Sequence, residues 1–367
     1  MKVFSKDLNS ILLESESKLT LLATSLFLGI IFFGLAMLYV SPQFEPIYHG
    51  KVFCEMSSSP FDFAKAYPLQ NRILAPLLGY LLFLRGDLFF ILPYAFTVFL
   101  LAAFYFYSRK HANTPLESLL ITALLAFSSL VFLPLISPGY TDSVTFFFVF
   151  LAFALASQSI QKSSLFFALA LLNHESCVFI LPALFLYRLS FKANFFTTFI
   201  FYLVSCIPLL AYRYYVSQHM ATEYSLDFYF STNNLTTCIN TWNLIPSGVF
   251  YAFKLLWFFP LFILVESYRR GDNLFLFSIL AAMFFPLLQF IIAYDITRMM
   301  CISFPAVVLS LFKLKEYWGN EKFNYFTKYL FFFNLLLLPA MVFKEGLFPL
   351  NPFWLEWFIH SIQNTIQ

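Results

Sequence analysis

Residues 164–188 read SLFFALALLNHESCVFILPALFLYR, an apolar stretch with Asn173-His174-Glu175 at its centre. A carboxylate at membrane depth costs at least about 2.5 kcal/mol, so it is usually paired, hydrated or functional. The surrounding chain has 367 residues, of which 60% are hydrophobic and 11% are charged. Soluble domains carry about 25% charged residues. The composition therefore predicts an all-α, polytopic integral membrane helical bundle, and the small net charge of +3 gives no sign of nucleic-acid binding.

Apolar segments long enough to cross a membrane recur along the chain. The clearest are 19–40, 88–107, 116–136, 143–157, 194–212, 246–265, 273–294, 299–312 and 329–343. Segments 73–84 and 164–188 are ambiguous, because the first is short for a span and the second is either one helix or two half-helices. The positive-inside rule favours keeping both from crossing, since most Lys and Arg then lie on the side of the N-terminus. We expect about nine to eleven transmembrane helices, with 164–188 as a re-entrant or broken helical pair that dips in from the cytoplasmic side.

This topology makes residues 1–367 a single membrane domain. Its parts are a cytoplasmic N-terminus at 1–18, a first external loop at 41–72, a second external loop at 213–245 and an external amphipathic tail at 344–367. The expected location is a membrane, the bacterial inner membrane in particular. Membrane lipid is then the first expected partner.

The first external loop contains two candidate site residues. Glu45 follows the first span, where a carboxylate serves either as a general base or as a ligand of a divalent metal, or simply solvates the loop. Arg72 precedes the apolar segment 73–84. Its planar guanidinium suits a phosphate, and it equally suits anchoring of that segment at the headgroup level.

Three further charged residues flank later spans. Asp142 opens the helix predicted at 143–157, where it either caps the helix or faces a cavity shared with the first loop. Asp295 and Arg298 are three residues apart in a short turn between spans. They either pair with each other or present Arg298 to an anionic headgroup or diphosphate.

The central Asn173, His174 and Glu175 allow two interpretations. A helix break there would let all three face a polar cavity. Alternatively, they form a buried polar knot that pins two half-helices through hydrogen bonds. We take Glu175 to be the floor of a cavity whose working acid lies above it. The chain lacks an HExxH zinc motif, a P-loop and a nucleophile elbow.

The order of these features resembles the GT-C superfamily of multispanning membrane glycosyltransferases and related bacterial membrane proteins. Members have an acid in the first external loop, then an Arg-x-Leu-x-Pro-Leu-Leu-like stretch, to which residues 72–78 (RILAPLL) are similar. Asp142 resembles a later Asp that opens an external helix. Residues 174–182 resemble a charged position before an apolar-Pro run, and residues 295–298 resemble a late Asp-x-x-Arg turn. Many members carry a pair of acids in the first loop, whereas this chain has isolated Glu45, Glu55 and Asp62.

The resemblance implies transfer of a sugar from a polyprenyl-phosphate donor on the external face. It implies that Glu45 is the catalytic acid–base residue and that Arg72, Asp142, Asp295 and Arg298 bind the substrate or its phosphate. Asn173, His174 and Glu175 would be polar groups of the cavity. A divalent metal is possible, although the sequence has no clear metal site. The alternatives are a non-catalytic transporter or flippase for a lipid-linked sugar or other amphiphile, and a structural membrane protein.

Overall fold

The protein is described by a computed structural model that covers residues 18–65, 67, 69–111, 114–220, 230–293, 295–343 and 346–352. Most of these residues are helical. In chain order the helices and strands are α1 Lys18–Tyr39, α2 His49–Ser58, α3 Leu74–Leu81, α4 Ile91–Lys110, α5 Pro115–Ala126, α6 Ser129–Ile136, α7 Asp142–Ala156, α8 Ile160–Asn173, α9 Leu181–Ser190, α10 Phe195–Ser205, α11 Ile207–His219, α12 Thr232–Asn240, α13 Ile245–Phe253, α14 Phe258–Arg270, α15 Asn273–Phe284, α16 Ile296–Met300, α17 Phe304–Leu336, β1 Ala340–Phe343 and β2 Gly346–Pro349. Short 3-10 helices extend or connect them at Phe63–Lys65, Gly86–Phe90, Glu175–Ile180, Trp242–Leu244, Lys254–Trp257, Phe285–Ile291 and Cys301–Ser303.

Several helical runs in the described residues are long and apolar enough to cross a membrane. There are 6: Lys18–Tyr39, Gly86–Lys110, Phe195–His219, Thr232–Arg270, Asn273–Ile291 and Ile296–Leu336. The count rises to 7 if α5 and α6, which are bent by 49° relative to each other, form one span. The chain is therefore a multi-pass membrane protein with a helical bundle, as its composition predicted.

Among the described residues, fewer helices are long and apolar enough to cross a membrane than the predicted nine to eleven. One reason is helix length: α7 has 15 residues, roughly 22 Å at about 1.5 Å per residue, compared with a hydrocarbon core of about 30 Å. Another is that predicted spans 299–312 and 329–343 fall largely in one run, Ile296–Leu336, which is kinked at Gly319 (φ 75°, ψ 169°).

The predicted all-α bundle is confirmed, and one predicted span ends in a short β-hairpin. The last predicted span, 329–343, leaves the helix after Leu336, and its end forms strand β1 of an antiparallel hairpin with β2. Val342 pairs with Leu347, and Met341 pairs with Phe348. The backbone N–H of Val342 also donates to Thr297 Oγ1 at 2.9 Å. Within the predicted tail at 344–367, residues 346–349 form strand β2, and residues 353–367, which make up most of the expected amphipathic segment, lie outside the described residues.

Helices α7, α8 and α9 lie side by side. At one end the Asn173 amide donates to the Thr141 carbonyl at 2.8 Å. Toward the other end Ser163 Oγ donates to the Ala152 carbonyl at 2.8 Å, and Arg188 donates to the Ala156 carbonyl. The segment 164–188 therefore enters and returns at the end of the bundle where α7 finishes, as predicted. Its apex, however, reaches the full length of α7, to the end where Asp142 lies. We call these two the Ala156 end and the Asp142 end.

Both predicted external loops contain secondary structure. The first loop contains α2 and the 3-10 turn Phe63–Lys65, and it folds over the Asp142 end. The second loop was predicted to start at Arg213, but that residue lies inside α11, which continues to His219. In the remainder, α12 and the 3-10 helix Trp242–Leu244 follow residues 221–229, which lie outside the described residues.

Candidate functional site

A cavity of about 850 Å³ opens at the Asp142 end of the bundle. Its walls come from the first loop, the turn before α7, the start of α12, the start of α16 and the β1–β2 hairpin. The lining residues are Val40, Ser41, Gln43, Ile47, Tyr48, His49, Leu69, Arg72, Ile136, Ser137, Tyr140, Asn234, Ile292, Ala293, Asp295, Arg298, Met299, Phe343, Phe348, Pro349, Leu350 and Asn351. A cavity of this size, with few charged groups and much apolar surface, is typical of a small-molecule or lipid-headgroup site.

Arg298 is the most deeply buried cation of the cavity, with a side chain that is 3% exposed. Its Nε donates to both carboxylate oxygens of Asp142, at 3.1 and 3.0 Å. Its Nη1 donates to Asp295 Oδ2 at 3.1 Å. The Tyr140 ring lies against the guanidinium, with 4.6 Å from Arg298 Cζ to the ring centroid, a cation–π contact. Nη2 of Arg298 is buried and has no hydrogen-bond partner among the residues that the structure describes. The Asp142 and Asp295 carboxylates therefore orient the guanidinium through Nε and Nη1, and Nη2 remains available as a donor.

Arg72 is held by the carboxylate of Glu175. Its Nε donates to Glu175 Oε2 at 3.0 Å and its Nη2 donates to Oε1 at 2.8 Å, a bidentate pair. Glu175 has a second cation near it, because Arg213 Nη2 lies 3.7 Å from the same Oε1. Glu175 thus lies behind Arg72 at the Asp142 end. We predicted that it forms the floor of the cavity, but it is not among the lining residues.

Asn173 positions both arginine clusters. It is fully buried and ends α8. Its amide nitrogen donates to the Thr141 carbonyl at 2.8 Å and to Thr145 Oγ1 at 2.7 Å, and its amide oxygen accepts the N–H of Ala75 at 3.1 Å. Ala75 lies in the first turn of α3, just after Arg72. One side chain therefore ties the helix after Arg72 to the helix that begins with Asp142, whereas the polar-knot interpretation had it pin the two half-helices of 164–188.

The break predicted at Asn173-His174-Glu175 is present. His174 is extended (φ −154°, ψ 117°), and the 3-10 helix that follows begins at Glu175. His174 Nδ1 accepts the N–H of Ser176 at 3.2 Å, so a neutral ring carries its proton on Nε2. That Nε2 is buried and has no hydrogen-bond partner. His174 is not among the residues that line the cavity, so the break serves chiefly to direct Glu175 toward Arg72.

Two glycines allow the first loop to approach the turn before α7. A Cβ on Gly50 would lie 2.2 Å from the Pro138 carbonyl oxygen, and a Cβ on Gly139 would lie 2.9 Å from Gly50 Cα. Gly139 also has φ +84°, which L side chains rarely adopt. This contact brings the rings of His49 and Tyr140 to 5.8 Å. The backbones at positions 50 and 139 approach each other so closely that neither position has space for a Cβ atom.

His49 lines the cavity as a neutral imidazole. Burial first, and then the positive charges of Arg298 and Arg72, lower its pKa from 6.5 to about 4. Asp142 acts in the opposite direction but more weakly. His49 therefore adds a polar group without adding a positive charge at neutral pH.

The wall formed by the hairpin is mainly apolar. It contributes Phe343, Phe348 and Leu350. The hairpin is fixed at one side by Thr297, next to Arg298, and at its base by Lys254. Lys254 Nζ donates to the carbonyls of Asn334 and Leu337, each at 3.0 Å, at the end of α17. The cavity thus combines an arginine-bearing wall and an apolar wall, both supported by buried hydrogen bonds.

The structure brings together some of the predicted site residues and not others. Arg72, Asp295 and Arg298 line the cavity, and Asp142 lies directly behind Arg298. Glu45 is exposed and does not line the cavity, so the structure does not support its predicted catalytic position. Asp142 is not the N-cap of α7 as one interpretation had it: Thr141 occupies that position, and the Asp142 carboxylate binds Arg298.

Sequence reasoning missed His49, Tyr140, Asn234 and the hairpin. Tyr140 lies in the turn beside Asp142, which was a usable signal. The others carry no pattern that marks them. Within the described residues no group of three or more His, Cys, Asp or Glu side chains is arranged to hold a metal ion. The carboxylates of Asp142 and Asp295 both bind a guanidinium instead.

The fold and the cavity define a multi-pass membrane protein with an arginine-lined site at one end of a helical bundle. No protein-family model, curated protein or solved structure matches the chain. The similarity to GT-C enzymes therefore stays a prediction from short motifs.

Proposed function

We propose that this protein is a membrane glycosyltransferase that takes a sugar from a polyprenyl-phosphate donor on the external face. The observation that carries the proposal is the meeting of two buried arginines, Arg72 and Arg298, in one cavity that also has an apolar wall. They come from distant parts of the chain. Each is compensated by a carboxylate, which keeps the cation ionised and ordered.

Phosphate chemistry explains why arginine is used twice. A guanidinium presents donors in a planar fork that matches phosphate oxygens. When the bond between sugar and phosphate breaks, negative charge grows on the phosphate, and preorganised donors stabilise that charge. The undirected Nη2 of Arg298 supplies one such donor. The apolar hairpin wall would accommodate the first part of the prenyl chain, while Gln43, Asn234 and Asn351 offer amides for sugar hydroxyls.

The charge distribution supports an external location for the cavity. Lys162, Arg188 and Lys192 lie at or next to the Ala156 end, where α8 starts and α9 finishes. Under the positive-inside rule this end is cytoplasmic, so the Asp142 end is external and the location would be the bacterial inner membrane. Cysteines at position 45 and position 111 test this. A membrane-impermeant thiol reagent added outside should modify the Glu45→Cys protein and not the His111→Cys protein, and the reverse pattern contradicts the topology.

A transporter or flippase is the alternative class. Such proteins usually place their polar groups near the membrane midplane, between two access routes. In the described residues, the charged groups of this site gather at the Asp142 end instead. That arrangement favours a reaction at one face.

The proposed function is tested by transfer of radiolabelled sugar from a polyprenyl phosphate in membranes that contain the protein. We expect transfer by the wild type and a loss of about 100-fold in the Arg298→Lys and Arg72→Lys variants, the scale for removing one preorganised donor to a developing anion. Arg270→Lys is the matched control, because Arg270 is half-exposed and bonds to Tyr317 and Glu266 away from the cavity. Translocation of the labelled donor across proteoliposomes without sugar transfer would instead support the transporter.

A further inference from the structure

We propose that Asp295, and not Glu45, accepts the proton of the acceptor hydroxyl. The inference rests on the proposed sugar transfer and assigns its base. A base has to reach the reacting hydroxyl within hydrogen-bond distance, so access to the cavity is the first criterion.

Asp295 meets the access criterion. Among the described residues that line the cavity, it is the one that carries a carboxylate. Its side chain is 23% exposed, compared with 8% for Asp142, which is covered by Arg298. Glu175 binds Arg72 from behind and does not line the cavity. Glu45 is exposed to solvent outside it.

Local structure shows that Asp295 is not needed as a helix cap. It occupies the N-cap position of α16, where Asp is among the preferred residues because its side chain accepts a backbone N–H. Here that capping bond is absent, and the side chain reaches Arg298 Nη1 instead. The backbone carbonyl of Asp295 still accepts the N–H of Met299 at 2.9 Å, so the helix start is intact. The position of the Asp295 carboxylate is therefore set by its contact with Arg298 and not by helix capping.

Asp295 is the second carboxylate that binds Arg298, after Asp142. Asp142 alone compensates Arg298 through Nε, with contacts of 3.0 and 3.1 Å. Asp295 adds a negative charge at the cavity side of the same guanidinium. A base in this position lies next to the cation that would hold the departing phosphate. Proton removal and leaving-group stabilisation would then occur on neighbouring groups without a rearrangement.

The reaction step balances as follows. The acceptor O–H proton moves to the Asp295 carboxylate while the acceptor oxygen forms a bond to the anomeric carbon of the sugar. The bond between that carbon and the donor phosphate oxygen breaks, and the phosphate keeps the electron pair beside Arg72 and Arg298. The products are the glycosylated acceptor and the polyprenyl phosphate, and Asp295 later releases its proton to water.

The test compares Asp295→Asn with two other loop or turn carboxylates, using full-length protein in membranes. We expect Asp295→Asn to lower kcat by about 100-fold or more, within the usual 10²–10⁴ contribution of general base catalysis. Binding of radiolabelled polyprenyl-phosphate sugar should change by less than about threefold, because an amide keeps the shape of the side chain and Asp142 still orients Arg298. Glu45→Gln should retain the wild-type kcat. Asp62→Asn is the matched control, since Asp62 is an exposed loop carboxylate paired with Lys65.

A pH profile separates a base from a structural residue. The wild-type rate should fall on the acidic side as the base is protonated, and this decline should be absent from the residual rate of Asp295→Asn. A wild-type kcat in Asp295→Asn overturns the assignment, and so does a loss of donor binding that equals the loss of rate. If the wild type transfers no sugar, the proposed function fails and this inference fails with it. If the wild type and Asp295→Asn transfer equally, the base assignment alone is wrong.

Discussion

The two arginines of the cavity are held in different ways. Arg298 is 3% exposed and lies between two carboxylates, Asp142 and Asp295, with an aromatic ring against its face. Arg72 is 10% exposed and shares its carboxylate, Glu175, with Arg213, whose side chain is 30% exposed. Among the described residues, the Arg298 cluster contains two carboxylates and one guanidinium, whereas the Arg72 cluster contains one carboxylate and two guanidinium groups. The comparison indicates that Arg298 is fixed in place and that Arg72 has a replacement cation beside its partner.

The largest expected difference is in stability. Arg298→Met leaves the buried Asp142 and the half-buried Asp295 without their cation, and removing one partner of a buried pair typically costs about 3–5 kcal/mol. Arg72→Met should cost clearly less, because Arg213 already lies 3.7 Å from Glu175. Thermal unfolding of the detergent-solubilised variants measures both. Equal losses would mean that the two clusters are equivalent and that Arg213 gives no compensation.

Asn173 should affect both clusters at once. Asn173→Leu removes its hydrogen bonds to Thr141, Thr145 and Ala75 and leaves buried polar groups unpaired, at about 1–3 kcal/mol for each group. We expect a total loss of about 3 kcal/mol, together with weaker donor binding. Asn334→Leu is a comparable buried amide at the base of the hairpin. If it weakens donor binding as much as Asn173→Leu does, Asn173 has no special link to the arginines.

The contact between the first loop and the turn before α7 belongs to the Arg298 cluster, because it seats Tyr140. Gly50→Ala should destabilise the protein by about 1–3 kcal/mol, since the added methyl lies 2.2 Å from the Pro138 carbonyl oxygen. Gly34→Ala is the matched control: no atom lies within 4 Å of its added Cβ, and this helical position should gain about 0.5–1 kcal/mol. Thermal unfolding measures both variants. A harmless Gly50→Ala would show that the loop can move away from the turn.

The smallest expected effect concerns pH. The pKa of His49 is about 4 in the folded protein, below its usual 6.5, because of burial and the two arginines. Between these values the unfolded chain binds a proton that the folded chain does not, so stability should fall as pH decreases from about 6.5 to 4. At pH 5 the effect is at most about 2 kcal/mol. His49→Gln should remove this part of the pH dependence, as followed by the difference in Tm between pH 7 and pH 5. An unchanged difference would show that His49 is hydrated.

Local sequence patterns predicted some contacts of the site and not others. The three-residue spacing of Asp295 and Arg298 predicted their pair, and the polar centre of 164–188 predicted a helix break. The pairs Arg72–Glu175 and Asp142–Arg298 join residues 103 and 156 positions apart, and no periodicity encodes them. Glu45 was chosen from its place in the chain order. The first loop leaves Glu45 exposed outside the cavity, an outcome of tertiary packing that chain order does not encode.

Strand β1 illustrates the same limit for the fold. Residues 329–343 are apolar throughout the region where helix α17 ends and β1 follows, so hydropathy predicted one span. Two tertiary contacts stabilise the strand: the Val342 N–H donates to Thr297 Oγ1, and Met341 pairs with Phe348 across the hairpin. Short apolar runs do not distinguish a buried strand from a helix.

The long separation within the Asp142–Arg298 pair has a consequence for biosynthesis. Synthesis proceeds at about 5–20 residues per second, so the 156 residues between the two take roughly 8–30 s to make. During that interval Asp142 has been delivered to the membrane while its cation has not yet left the ribosome. Its carboxylate must wait in contact with water or with the insertion machinery. The pair forms when α16 arrives, and the β1–β2 hairpin, which follows α16 in the chain, then completes the wall of the cavity.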